Sequence, residues 1–240
     1  MELLKKLFVH LHFNHASRVA WRAKLRSDWR ADNNHVYIIK NGKRHECKGV
    51  IPGLAIRIDG KNNCVEIDET CHTSDTEIWI SGNHNHIRVE ENTRLTRLYA
   101  IIADNNRLFA WGAGSRCEQA RVLVQDRDLI IGKECMLSDQ IEIMASDAHT
   151  ICDKNTGEMI NRLTGQMIIG DHVWIGRRVF LTKRTNIPSG CVVGASSVVT
   201  KPFTEENCVI AGFPAKVIKK GIEWHEISTS GYMQTYQKTK

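Results

Sequence analysis

His149 stands in the stretch Ser146-Asp147-Ala148-His149-Thr150-Ile151, with Asp147 two residues before it, Cys152 three after and Asp153 four after. A histidine titrates near neutrality, so it can accept the proton of an attacking hydroxyl and pass it to a leaving group. Asp147 or Asp153 could orient the ring, although aspartate in a turn is commonplace. Cys152 raises a second chemistry, an acyl-cysteine relay; direct transfer needs none. His84 and His86 offer two imidazoles. They lie in a repeat whose matching position is otherwise Cys64 or Arg107, which favours a turn-surface role, and no metal is expected. Trp174 reads either as a core or subunit-contact aromatic or as a surface on which a ligand packs. Lys201, Lys216 and Lys219 form a basic group towards the C-terminus. No Walker loop or dinucleotide fingerprint occurs.

The elements that would position these residues are repeats. Ile169, Ile175, Leu181, Ile187, Val193 and Val199 follow one another six apart, and small or β-branched residues (Val173, Val179, Thr185, Cys191, Ser197) follow four places after. A step of six does not return to the same side of an α-helix, whose turn is shorter, so it smears any apolar face. A short strand plus a turn, stacked repeatedly, suits this period, with both sets of residues pointing inward. Ile131, Leu137 and Ile143 make a shorter run of the same kind. Between the runs, residues 152–166 are polar and read as a protruding loop, and His149 lies where the regular run ends and the loop opens. Long loops in compact domains are often functional.

A second repeat lies upstream. Residues 60–67, 82–89 and 103–110 align, each a polar turn and an alternating strand, with starts 22 and then 21 apart. Asn63, Asn85 and Asn106 share the fourth place, and apolar residues recur at the sixth and eighth. Asparagine bonds neighbouring backbone and tolerates left-handed angles, so equivalent corners could ladder. The expected organisation is a basic N-terminal segment and cap over 1–49, with a helix or two over its first thirty residues, then a β-helix over 50–220 and a tail over 221–240. A short helix or tail is expected at the C-terminal end, and the last residues, from Ser228, read as poorly ordered.

The chain has 240 residues, 42% hydrophobic and 7% aromatic, and its net charge of +6 is unevenly placed. Residues 1–50 hold 11 Lys/Arg and 4 Asp/Glu, whereas residues 51–240 hold 22 and 23. A general nucleic-acid-binding surface is therefore not supported. No apolar run approaches a membrane span, and peripheral contact with an anionic surface through the basic N-terminus stays open. The eight cysteines are dispersed without a CxxC pair, and no good secretion signal opens the chain. A reducing, cytoplasmic setting is expected, with the cysteines mostly filling core.

The stretches 146–158, 169–201 (Ile169-Gly170-Asp171-His172-Val173-Trp174-Ile175-Gly176 at its start) and 211–219 resemble the hexapeptide-repeat acyltransferases. Among these they most resemble bacterial O-acetyltransferases of capsule, lipopolysaccharide or sialic acid, close to the maltose/galactoside branch. The resemblance implies an all-β fold, a left-handed parallel β-helix. It implies acetyl-CoA as co-substrate, a carbohydrate acceptor and a homotrimer with sites between subunits. It makes His149 the general base and sets Trp174 beside the active site. It brings Ala195, Thr200 and Lys201 to coenzyme A, and Lys216 and Lys219 to its phosphates. Anionic phosphates favour basic partners. Lys183-Arg184 and Gly212-Phe213-Pro214 depart from the family pattern.

The resulting expectation is transfer of acetyl to a sugar hydroxyl of a surface polysaccharide or its precursor. Two rivals remain: an N-acetyltransferase on an amino sugar nucleotide, whose neutral amine needs a base less, and a non-catalytic β-solenoid scaffold, which has no use for the three lysines. If the basic N-terminus faces the cleft, through Arg22, Lys24 and Arg26, the acceptor is anionic.

Overall fold

The computed structural model describes residues 32–236. The expected N-terminal helices, and Arg22, Lys24 and Arg26, lie outside the described residues. The chain from His35 to Gly212 winds into a parallel β-helix with three flat faces. Face one stacks His35–Lys40, Cys64–Asp68, His86–Val89, Leu108–Trp111, Asp128–Ile131 and Gln166–Ile169. Face two stacks His72–Ser74, Arg94–Thr96, Arg116–Cys117, Met136–Leu137, Trp174–Ile175, Val192–Val193 and Cys208–Gly212. Face three stacks Leu54–Asp59, Thr76–Ser81, Leu98–Ala103, Ala120–Val124, Ile141–Met144, Phe180–Leu181 and Val198–Val199. Each turn passes through faces one, two and three in that order.

The period of six is one face per repeat. Ile169, Ile175 and Leu181 enter the core from faces one, two and three, and Ile187, Val193 and Val199 do so again one turn later; all six are buried. The small partners Val173, Val179, Thr185, Cys191 and Ser197 are buried as well. Trp174 pairs with Val192, three hexapeptides further along the chain. Earlier turns are longer than three hexapeptides: Leu54 pairs with Thr76, and Cys64 with His86. Face three absorbs part of the difference, since its strands shrink from six residues at Leu54–Asp59 to two at Phe180–Leu181. Met136 pairs with Trp174, so this turn takes up more than twice the chain of the turn from Trp174 to Val192, and the excess is looped out.

At the corner from face three to face one, buried Asn34, Asn63 and Asn85 form the expected ladder. Asn34 Oδ1 accepts the Asn63 N–H and Asn63 Oδ1 accepts the Asn85 N–H, both at 2.9 Å. Their Nδ2 groups donate to the carbonyls of Gly60, Gly82 and Asp104. The third unit departs from the expected alignment. Its spacing stays at 22, Leu108 pairs with His86, and the rung above Asn85 is the Arg107 N–H. Asn106 instead matches Asn62 and His84, all three at φ between 56° and 58°. The reason is the core. A slip of one residue would turn the strand over, exposing Phe109 and Trp111, which are buried.

Both ends of the stack are closed by antiparallel strands, Lys43–Glu46 against His35–Lys40 and Ala215–Lys220 against Cys208–Gly212. A parallel stack otherwise ends in unpaired backbone. The short C-terminal helix is present as expected, over Thr229–Tyr236, within the stretch from Ser228 that reads as poorly ordered in sequence. Cys117, Cys135, Cys191 and Cys208 fill core as expected, but Cys152 is exposed. Burial pushes the Cys117 thiol up to about 12.

Candidate active site

His149 is delivered by a tight turn at the end of Ile141–Met144. The buried Ser146 accepts the Ala148 N–H on its Oγ at 2.9 Å and reaches back to Asp126 on the preceding turn. Ala148 sits at φ 59°, a conformation that L-residues seldom adopt. It also packs against an apolar cluster outside face three, formed by Trp79, Ile101, Ala103 and Leu123. Held on both sides, the turn aims the next residue outward. His149 is exposed, and its ring has no hydrogen-bond partner among the described residues.

The looped-out segment is a pinned hairpin. Cys152 bridges Met159 antiparallel, and Ile160 N–H donates to the Ile151 carbonyl at 2.9 Å. Asn161 is the pin. Its Nδ2 donates to the His149 carbonyl and to Asp147 Oδ2, both at 2.8 Å, and its Oδ1 accepts the Ile151 N–H. Lys183, from the next turn, donates to Asp147 and to the Asn161 carbonyl. Asp147 is thus engaged with Lys183 and Asn161. Asp153 accepts the backbone N–H groups of Asn155 and Thr156 within its own loop.

Partial burial disfavours the Asp147 carboxylate, but the bonds from Lys183 and Asn161 and the charges of Lys183 and Arg184 outweigh it and hold its pKa below the usual range. A carboxylate with a depressed folded pKa stabilises its anchored state above its ordinary pKa, and that stabilisation is lost as pH falls through the depressed value. Acidification through that window should therefore loosen the hairpin. Asp147→Ala should loosen it already at neutral pH, seen as several-fold faster hydrogen exchange in residues 150–162 with the core strands unchanged. Equal exchange in both proteins would refute the anchoring.

Trp174 is 37% exposed, on the outside of face two rather than in the core. Its Nε1 lies 3.4 Å from Ser138 Oγ, and its ring is tilted against Trp224 at 6.0 Å. Trp224 stacks on His172 at 4.1 Å and donates its Nε1–H to the His172 carbonyl. The C-terminal segment thereby builds a wall beside Trp174.

The expected coenzyme residues divide into three groups. Trp174, Val192, Val209 and Lys219 are consecutive in register across face two. Ala195 follows Val192–Val193 at the corner to face three, where it stacks over Gly176; Gly212 N–H donates to Ser197 beside it, and Lys216 pairs with Ala211. Thr200 and Lys201 follow Val198–Val199 at the corner to face one, the corner that carries His149 and Lys183. Ala195, Thr200, Lys201, Lys216 and Lys219 are all exposed, and none of the three lysines carries an ion pair among the described residues. By contrast, Lys183 and Lys220 are paired, with Asp147 and Glu205.

Sequence reasoning missed Asn161, Trp224 and the anchoring role of Lys183. Lys183 left a trace, as a departure from the family pattern. Asn161 left none, because one asparagine in a polar loop looks like any other.

No family model matches the chain. The chain is 35% identical over 187 residues to a polysialic acid O-acetyltransferase of Neisseria meningitidis, covering 69% of this chain and 86% of that protein. The crystal structure of a polysialic acid O-acetyltransferase matches with a TM-score of 0.70 and 27% identity, over 85% of this chain and 94% of that one. A polysialic acid-specific acetyltransferase shares the fold at the same TM-score and 23% identity, over 86% and 91%. With a left-handed parallel β-helix in common and this degree of similarity in sequence, the chain belongs to the hexapeptide-repeat acyltransferases.

Proposed function

We propose that the protein transfers acetyl from acetyl-CoA to a hydroxyl of an anionic surface polysaccharide or its precursor, with His149 as general base. The observation that carries this reading is the presentation of His149. Its ring is exposed and unpaired among the described residues, on a turn held by Ser146, Ala148 and Asn161. The acceptor O–H gives its proton to the imidazole as its oxygen attacks the thioester carbonyl. The tetrahedral adduct collapses, the carbon–sulfur bond breaks, and the imidazolium returns the proton to the departing thiolate. A backbone N–H at a tight turn would stabilise the oxyanion.

The donor set fits coenzyme A. Lys201, Lys216 and Lys219 are exposed cations without ion pairs among the described residues, suited to phosphates. Ala195 lies at a corner where backbone is open to a pantetheine arm, and Trp174 offers a face to it. These residues occupy face two and two different corners, so a homotrimer in which one copy's corner meets another copy's face would join them. Exposed Ile151, Met159 and Ile160 on the hairpin support such a contact. Light scattering should give three times the chain mass; a monomer would refute it. No helix among the described residues is long and apolar enough to cross a membrane. The eight cysteines are free, in keeping with the reducing cytoplasm we propose as the setting.

An anionic acceptor is supported by face two itself. His72, Arg94, Arg116, Met136 and Trp174 stand in register on successive strands, about 4.8 Å apart. This column leads cations towards Trp174. Arg94 is exposed with no ion pair among the described residues, while Arg116 meets Glu226. The test is thiol release from acetyl-CoA with anionic polysaccharides, neutral polysaccharides and amino sugar nucleotides as acceptors. O-acetylation of an anionic polymer is expected, and Arg94→Glu should raise its KM several-fold while leaving kcat nearly unchanged. Transfer only to the amino sugar, or no thiol release, would sink the reading.

A further inference from the structure

On the outer surface of face one, several turns of the stack from His149 and Trp174, lies a group of different chemistry. Cys64 and His86 are directly opposite on adjacent parallel strands, and Glu66 is two residues beyond Cys64. Residues two apart on a strand share a face, and the intervening Val65, with Ile67 beyond, is in the core. All three ligand-bearing side chains therefore stand on the outside. The Cys64 sulfur, a Glu66 oxygen and a His86 nitrogen lie within 4.8 Å of one another. His86 Nε2 is 2.6 Å from Glu66 Oε2, and Arg44 bonds the other oxygen, Oε1.

We propose that Cys64, Glu66 and His86 form a binding site for a zinc-like divalent metal ion that clamps two consecutive turns of the helix. One thiolate and one carboxylate balance the charge of the ion, and the imidazole adds a neutral ligand. Sulfur, nitrogen and oxygen together suit zinc, whose bonds of about 2.0–2.3 Å place tetrahedral ligands about 3.4 Å apart. His86 Nε2 and Glu66 Oε2 reach this by parting less than about 1 Å, and the Cys64 sulfur, within 4.8 Å of the other ligand atoms, closes in to complete it. Arg44 keeps Oε1 and orients the carboxylate, as outer partners of metal ligands do. The fourth position is left to water. Binding replaces the S–H bond by a metal–sulfur bond and releases the thiol proton to solvent. Because the thiol must lose its proton to bind the ion, affinity rises with pH.

The site is independent of the proposed acetyl transfer, because none of its three residues belongs to the candidate active site. The test is titration of the reduced full chain with cobalt(II), a spectroscopic stand-in for zinc. One equivalent should produce a thiolate-to-cobalt charge-transfer band, and added zinc should remove it. Cys64→Ser should abolish the band, whereas Cys152→Ser, at the exposed cysteine of the hairpin, should leave it intact. Zinc should raise the melting temperature of the wild type and not that of His86→Asn, a second variant that removes an outward ligand without touching the core. Absence of the band, its survival in Cys64→Ser, or an equal zinc effect in His86→Asn would overturn the site.

Discussion

His149→Ala should lower kcat by about a hundredfold or more, the usual worth of a positioned general base. The effect should fall on kcat rather than on KM for acetyl-CoA, because the His149 ring makes no hydrogen bond to the expected coenzyme residues, and Thr200 and Lys201 reach the same corner from a later turn of the stack. Stability should hardly change. The His149 ring is exposed and makes no hydrogen bond among the described residues, while the pin from Asn161 goes to the His149 carbonyl, which alanine retains. Kinetics of the variant on an acceptor accepted by the wild type, with urea melts of both proteins alongside, separate catalysis from folding. Near wild-type turnover would remove His149 from the mechanism. A loss of turnover with an equal loss of stability would make its role structural.

Gly82→Val should destabilise the fold by about 4 kcal/mol, or prevent folding altogether, since left-handed strain costs about 1–3 kcal/mol and overpacking a similar amount. Gly82 lies at the corner from face three to face one, at φ 147°, where L side chains are strained. A Cβ placed there would stand 1.8 Å from the Asp104 carbonyl oxygen, which is backbone of the next turn and cannot rotate away. The Asn ladder adds to the loss, since Asn63 donates to the Gly82 carbonyl and Asn85 donates to the Asp104 carbonyl. Any shift of the corner disturbs both bonds. Urea unfolding measures the effect, and a loss below about 1 kcal/mol, less than the strain alone, would show that the turns can slide apart at little cost.

Much of the architecture was legible because a stacked β-helix repeats one local decision. Ile169, Ile175, Leu181, Ile187, Val193 and Val199 each solve the same problem, an apolar side chain per face, so the period shows without knowledge of the partners. The longer upstream turns were legible only in outline. Their polar corners are alike at neighbouring positions, and Asn106 and Arg107 could exchange places in an alignment. Burial of Phe109 and Trp111 breaks the tie, and burial depends on the neighbouring turns.

The candidate site was legible in its singular residues and not in its supports. His149 and Trp174 are conspicuous, an imidazole at the mouth of a loop and an indole amid glycine and valine. Asn161 and Lys183 act across long stretches of chain, through Asn161 Nδ2 on the His149 carbonyl and Lys183 on Asp147. Trp224 reaches back to His172 from beyond the last strand. No local pattern encodes such contacts.

What the sequence determined by itself is the set of inward residues of the six-residue repeats, the position of the loop and the family. These follow from periodicity and from motifs contiguous in the chain. Only the tertiary structure decided that the loop is pinned, that Asp147 serves Lys183 and Asn161, and that cations climb face two in register with Trp174. It also set Cys64, Glu66 and His86 together. The physical reason is the parallel ladder. Hydrogen bonding between turns brings Trp174 to Val192, Cys64 to His86 and Met136 to Trp174, and the length of chain between such partners differs from turn to turn.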